Sequence, residues 1–217
     1  MNAFRHIAIA ALFVVGAAHG AQTLVVNGSL TDSIENNGVP SGWINLEGTP
    51  DVMDALNNVG LENELHFGAA PSASPDGGTW VGLGSDAGYT ERFGQVLSGL
   101  TVGQQYTVSW SAGNFGYNFG TNNYLGQNAI DVMIDGQSIG KGATLALGSN
   151  WFNQSLTFAA TSASQQISFK LATSTKAYLS IDGIAVNATA PVPEPGTWAL
   201  MGLGLCAIGF MRKRSQA

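Results

Sequence analysis

Between residues 22 and 190 the apolar residues fall in short runs, each closed by Gly, Asn, Asp or Pro. The clearest run places Tyr106, Val108 and Trp110 alternately with Thr107, Ser109 and Ser111. Ile130, Val132 and Ile134 repeat the pattern, as do Ile167, Phe169 and Leu171. Side chains alternate across a strand, so each segment carries one apolar face and one polar face. Such strands belong to antiparallel sheets packed on one core. The pattern predicts strands near 23–28, 41–46, 79–84, 91–98, 105–112, 128–135, 151–159, 165–172 and 177–187. Asp135-Gly136, between VMI and QSI, predicts a tight hairpin, because a primed turn needs positive φ at both positions. Pro75-Asp76-Gly77-Gly78 predicts a second turn. Residues 51–66 keep no strand period and are read as a long connection wrapping the sandwich, or a helical turn. No internal repeat and no sustained helical period appears. The fold class is all-β, a single antiparallel β-sandwich over residues 21–190.

Both ends depart from this pattern. Residues 1–20 begin with the base Arg5, continue with an apolar stretch from Ile7 to Ala18, and close on the small residues Ala18 and Gly20. That order is a secretory signal peptide with cleavage after Gly20. Near the C-terminus, Trp198 to Met211 contains no charged residue. As a helix at about 1.5 Å per residue it would cover roughly 21 Å, short of the ~30 Å of a bilayer core. The bases beyond it can snorkel while the bilayer thins, so a short membrane helix and a buried terminal helix both remain open on length alone.

The motif order resolves this by resemblance. Val192-Pro193-Glu194-Pro195, the Gly/Leu/Ala-rich run, and then Arg212-Lys213-Arg214 resemble the PEP-CTERM sorting signal of Gram-negative bacteria. The resemblance implies a short C-terminal transmembrane helix within residues 191–217 and an exosortase as processing partner. It also implies transient anchorage in the inner membrane before the body reaches the cell surface or the extracellular space. Three bases after the run place that end in the cytoplasm and the body outside. Prolines 191, 193 and 195 favour an extended backbone for a protease to grip.

Composition narrows the partners. Leaving out Arg5 and the terminal bases, Arg92, Lys141, Lys170 and Lys176 face all fourteen acids. A body of that sign repels phosphate backbones, so nucleic acid is not a partner. The single cysteine, Cys206, lies in the apolar tail, which excludes an intrachain disulfide framework and a Cys nucleophile in the body. His66 is the one histidine between the two ends, and no G-x-S-x-G elbow accompanies it. Asp131, Asp135, Asp51 and Asp54 are read as solvated carboxylates. No catalytic constellation is assigned, and the body is read as noncatalytic.

The body carries a second resemblance. LVVNGSL, SGWINL, PDGGTWVGL, QVLSGLTVGQQYTVSW, NWFNQSLTFAA and YLSIDGIAV follow the order of galactose-binding-domain-like jelly rolls, which include several carbohydrate-binding modules. The resemblance implies a jelly roll and a polysaccharide partner, with exopolysaccharide or biofilm matrix expected for a chain sorted in this way. It also implies a structural Ca²⁺ held by a late-strand acid, matched by Asp182, and by an early acid. Here Asn27-Gly28-Ser29-Leu30 is followed by Thr31, and Asp32 stands one place later, so a hydrogen-bonded turn Asp competes with the metal reading. For the ligand, Phe115, Tyr117, Phe119 and Tyr124 lie in a Gly/Asn-rich stretch too irregular to form a strand face. Exposed rings cover the apolar faces of sugars while neighbouring amides satisfy hydroxyls. The competing reading folds these rings onto the sandwich edge. Trp43, Trp80, Trp110 and Trp151 are expected in the core. A structural adhesion module without a defined ligand and a glycan hydrolase stay open as alternatives.

Overall fold

The computed structural model describes residues 23–56, 66–189 and 202–205. The signal peptide, the Pro193-Glu194-Pro195 motif, Arg212-Lys213-Arg214 and most of the apolar run lie outside the described residues; residues 202–205 form a helical turn. Among the described residues no helix is long and apolar enough to cross a membrane.

Thirteen strands follow in chain order: β1 (Ile44–Glu47), β2 (Asp51–Met53), β3 (Trp80–Asp86), β4 (Tyr89–Thr90), β5 (Arg92–Ser98), β6 (Gln105–Asn114), β7 (Tyr117–Phe119), β8 (Asn122–Tyr124), β9 (Ile130–Ile134), β10 (Gln137–Lys141), β11 (Ser149–Ala159), β12 (Ser164–Leu171) and β13 (Ala177–Ala188). One sheet runs β1-β5-β12-β9-β10 and the other β11-β6-β13-β3-β2, with β4 paired to β3. All pairings are antiparallel. The two sheets face each other across one core, in which Val108 and Trp110 of β6 meet Val132 of β9 and Ile167 and Phe169 of β12. The rings of Trp43, Phe93 and Phe169 form its aromatic centre, at 4.9 Å for Trp43 to Phe93 and 5.7 Å for Phe93 to Phe169. The alternation read from the sequence in β6, β9 and β12 is therefore the inward face of each strand.

The predicted hairpin is present: Asp135 and Gly136 have φ of 49° and 77°, and Ile134 pairs with Gln137 around them. The predicted turn at Pro75 is also present, closed by Gly77 N–H donating to the Ser74 carbonyl at 3.1 Å.

Three segments differ from the sequence reading. Residues 23–28 form no strand, because the Gln95 side-chain amide takes the place of a neighbouring peptide: it accepts from Val26 N–H at 3.0 Å and donates to the Val26 carbonyl at 3.1 Å. Asn27 then turns the chain at φ 50°, and its carbonyl accepts from the Trp43 indole at 2.9 Å, which ties the NGS and SGW motifs together. Residues 51–53 are a strand and not loop, paired with β3. The aromatic stretch after β6 also forms a hairpin, β7 with β8, that pairs Tyr117 with Tyr124.

That hairpin and the chain before β3 lie over the outer face of the six-stranded sheet. There Met53, Trp80 and Tyr178 make a second apolar cluster, with Phe67, Tyr117, Tyr124 and Trp151 packed on it. Gly82 is required in this face: a Cβ at that position would stand 2.3 Å from the Tyr178 hydroxyl oxygen and 2.5 Å from the Met53 methyl.

Candidate functional site

At one end of this outer face is a cleft of about 380 Å³. Its floor is built across the sheet. Asp51 of β2 pairs with Gly82 of β3, and Tyr178 of β13 pairs with Gly84 of β3. Because Gly82 and Gly84 project nothing, the Tyr178 ring lies across β3 and its hydroxyl donates to Asp51 Oδ2 at 2.6 Å. The Asn37 N–H donates to Asp51 Oδ1 at 2.9 Å. Glu91, between β4 and β5, aims its carboxylate at the same floor. Its Oε2 accepts from the Gly84 N–H and its Oε1 accepts from the Tyr89 hydroxyl, each at 2.5 Å. Thr49 Oγ1 stands 2.7 Å from the Tyr89 hydroxyl and 3.3 Å from Glu91 Oε1.

Asp51 and Glu91 are both buried, each 4% exposed. Burial in a medium of low polarity disfavours the charged form. Desolvation pushes the Glu91 carboxyl up to about 7, against the lowering effect of the Tyr89 and Gly84 donors, and the nearby Asp51 charge raises it further. Burial raises Asp51 as well. Burial and the Glu91 carboxylate push the Tyr89 phenol up to about 12, and burial takes Tyr178 well above the ordinary tyrosine value. Burial thus disfavours the charged form of both carboxyls, while both phenols remain donors.

Over this floor stand the rings of Tyr117 and Tyr124, with Asn36, Asn37 and Asn122 on the rim. Tyr117 is 5.9 Å from Tyr178 and 6.3 Å from Tyr124, ring to ring. The Lys176 ammonium lies 4.7 Å over the Tyr124 ring, a cation–π contact that fixes its tilt.

The sequence-predicted aromatic residues thus divide. Tyr117 and Tyr124 line the cleft. Phe119 is half exposed and packs at a 48° tilt on His66, 4.2 Å ring to ring. Phe115 is 2% exposed and packs between Trp151 at 5.5 Å and Trp80 and Phe67 at 6.3 Å each, so it offers no ring to a ligand. Gly113 explains this: a Cβ there would stand 2.9 Å from the Phe115 ring, so the glycine leaves space for the ring to fold inward. Trp43, Trp80 and Trp110 are buried as expected.

The two acids predicted to hold calcium also divide. Asp32 spends both oxygens on the loop it caps, with Oδ1 accepting from Ser33 N–H and Oδ2 from the Ser41 N–H and hydroxyl, all at 2.7 Å. Asp182 lies on the face of β13 opposite the inward-facing Leu179 and Ile181, just before a bulge at Gly183. It is fully buried, one oxygen accepting from the Ser74 hydroxyl and Oδ1 having no hydrogen-bond partner. Its charged neighbour is Asp76 in the Pro75 turn, and burial together with that charge pushes Asp182 up to about 8. Among the described residues no group of three or more His, Cys, Asp or Glu side chains could hold a metal.

Sequence reasoning missed Asp51, Glu91, Tyr89 and Tyr178 as site residues. The sequence suggests a solvated Asp51, whereas it is a strand residue walled in by its neighbours. The available signal was the Gly-x-Gly of β3, Gly82 and Gly84, which opens space on one face of a strand.

Residues 191–215 match the PEP-CTERM protein-sorting motif. The chain is thus an exported protein sorted through exosortase processing and anchored at the membrane beforehand. No curated protein matches it. Among solved structures it is similar to a cyclase from Fischerella sp. TAU at 14% identity and a TM-score of 0.55, covering 76% of this chain and 96% of that one. It is also similar to the CBM22-1 xylan-binding domain of Paenibacillus barcinonensis Xyn10C at 11% identity and a TM-score of 0.50, covering 81% of this chain and 100% of that one. The enzymatically active domain of bacteriophage CBA120 tailspike protein 4 matches 77% of this chain at 14% identity and a TM-score of 0.44, but the chain spans only 21% of it. The likenesses to the cyclase and to the xylan-binding domain show the β-sandwich fold.

Proposed function

We propose that this exosortase-sorted surface protein uses its sandwich to hold extracellular polysaccharide in the Tyr117–Tyr124 cleft. The observation that carries this reading is the make-up of one cleft: two tyrosine rings over a floor of hydrogen-bonded acids, with three asparagines at the rim. Rings suit the CH faces of sugars, and amides and carboxylates suit their hydroxyls. The sandwich alone decides nothing, since the same fold serves a xylan-binding domain and a cyclase.

Electrophoresis through gels containing polysaccharide tests the reading. The protein is expected to be retarded, and the double substitution Tyr117→Ala, Tyr124→Ala should restore free mobility while leaving the far-ultraviolet dichroism unchanged. Migration unaffected by every polysaccharide tried would remove the reading. A second reading, a hydrolase, is favoured by geometry: two buried carboxyls, Asp51 and Glu91, line the one cleft, and burial raises both. Release of reducing ends that stops on Glu91→Gln, with retention intact, would establish it.

The donor set around Asp182 supports a hard cation such as Ca²⁺, which seeks carboxylate and other oxygen ligands. Asp182 with its orphaned Oδ1, Asp76 and the Ser74 hydroxyl would hold it, and the ion would supply the positive charge these two acids lack. Millimolar Ca²⁺ is then expected to raise the melting temperature at pH 8, by an amount worth about 2.7 kcal/mol at a hundredfold excess over Kd. Asp182→Asn should abolish that rise. An identical melting curve in Ca²⁺ and in EDTA would exclude the ion.

A further inference from the structure

We propose that the polysaccharide site continues past Tyr89 into a second subsite, so that the bound species is an internal stretch of chain at least two sugar units long. This rests on the reading of the first cleft as a glycan site. A second hollow of about 300 Å³ lies beside the first, and Tyr89 lines both. The turn through Glu47, Gly48 and Thr49 separates them, with Glu47 facing the second hollow and Thr49 the first. Gly48, at φ 66°, lets that turn lie directly on β4: a Cβ there would come 2.6 Å from the Thr90 carbonyl oxygen. The divider is therefore thin, and the Tyr89 ring above it is 37% exposed. Its hydroxyl is pinned by Glu91 and Thr49 on the first side, which holds the ring as a fixed platform between the two spaces.

The second hollow is lined largely by charged and polar side chains. The two anions there are already matched, Glu47 by Arg92 at 3.6 Å and Asp86 by Lys176 at 3.5 Å. Lys170 also lines the hollow and has no ion pair among the described residues. An ammonium without an ion pair beside a tyrosine face matches the hydroxyls and ring oxygen of a second sugar. This pairing does not match an apolar guest. A single terminal sugar would leave this hollow unused.

Titration calorimetry of the full chain with β-1,4-linked gluco-, xylo- and galacto-oligosaccharides, from single sugars to hexasaccharides, tests the extension. Affinity in the bound series should rise about tenfold from monosaccharide to disaccharide. Lys170→Ala should bring the disaccharide down toward the monosaccharide value and leave the monosaccharide unchanged. Lys170→Gln, which keeps a long side chain with a donor, should produce part of that loss and guards against a folding defect in the alanine variant. Affinity independent of length, or a disaccharide indifferent to these substitutions, overturns the second subsite and leaves the first cleft standing. No binding by any member of the series overturns both.

Discussion

Phe115→Ala is expected to destabilise the sandwich by about 3 to 5 kcal/mol, the range for removing a buried aromatic ring. The ring is 2% exposed and sits among Phe67, Trp80 and Trp151, three rigid neighbours that cannot collapse into the space it leaves. At roughly 2 to 4 °C per kcal/mol for a domain of this size, the melting temperature should fall on the order of 10 °C or more. Phe119, four residues later in the chain, provides the control. It is 50% exposed, touches His66, and its replacement by alanine should stay within about 0.5 kcal/mol. Urea denaturation of the two variants side by side makes the comparison. A loss at Phe115 no larger than that at Phe119 would mean that the β7–β8 hairpin does not cover the sheet in solution.

The second large effect is on pH dependence. Glu91 titrates near 4.5 when exposed and near 7 when folded, so the folded form keeps a proton that the unfolded form has lost. Stability from this group is fully present below 4.5 and is lost as pH rises to 7, by about 3 kcal/mol at 1.36 kcal/mol per unit. Asp182, at about 8 in the fold against 3.8 outside it, and Asp51, also raised, act in the same direction. Asp32 acts oppositely, since hydrogen bonds from Ser41 and Ser33 lower it, and its stabilisation is lost only as pH falls below the ordinary aspartate value. In EDTA the protein should therefore be more stable at pH 5 than at pH 8. Glu91→Gln removes the titration, so it should flatten part of this slope, leaving the share of Asp182 and Asp51, and should unfold later than the parent at pH 8. Denaturation midpoints across that window, measured for both proteins, decide the matter. Parallel curves would mean that Glu91 is ionised throughout.

These two results bear on how the cleft works. With the proton present, Glu91 can donate to the Tyr89 or Thr49 oxygen, which frees a hydroxyl hydrogen to point outward. With the proton absent, the same hydroxyls turn inward to the carboxylate. The donor pattern that the cleft presents thus depends on one buried proton. If the cleft holds polysaccharide as proposed, retention and stability should vary over the same pH range.

Much of this protein follows from local order in the chain. Alternation in β6, β9 and β12 marks their inward faces because side-chain direction has a period of two wherever a strand forms. Asp135-Gly136 makes its hairpin because two adjacent residues tolerate positive φ. The sorting motif is linear, read as an extended segment followed by an apolar run and bases, and it needs no fold around it. Residues 23–28 and 51–53 were misread for the opposite reason: whether an apolar run pairs as a strand depends on which neighbour offers its peptide groups, and Gln95 and β3 stand far away in sequence. The cleft depends on distance of the same kind. Asp51 and Tyr178 are 127 residues apart, and they meet because the sheet order brings β2, β3 and β13 side by side and two glycines leave the space between them open. An aspartate carries no mark in the sequence that it will be buried, and two phenylalanines in one loop carry none that only one will be. Burial belongs to whatever packs above and beside a residue, so only the assembled sheets decided which rings became core and which acids kept a proton.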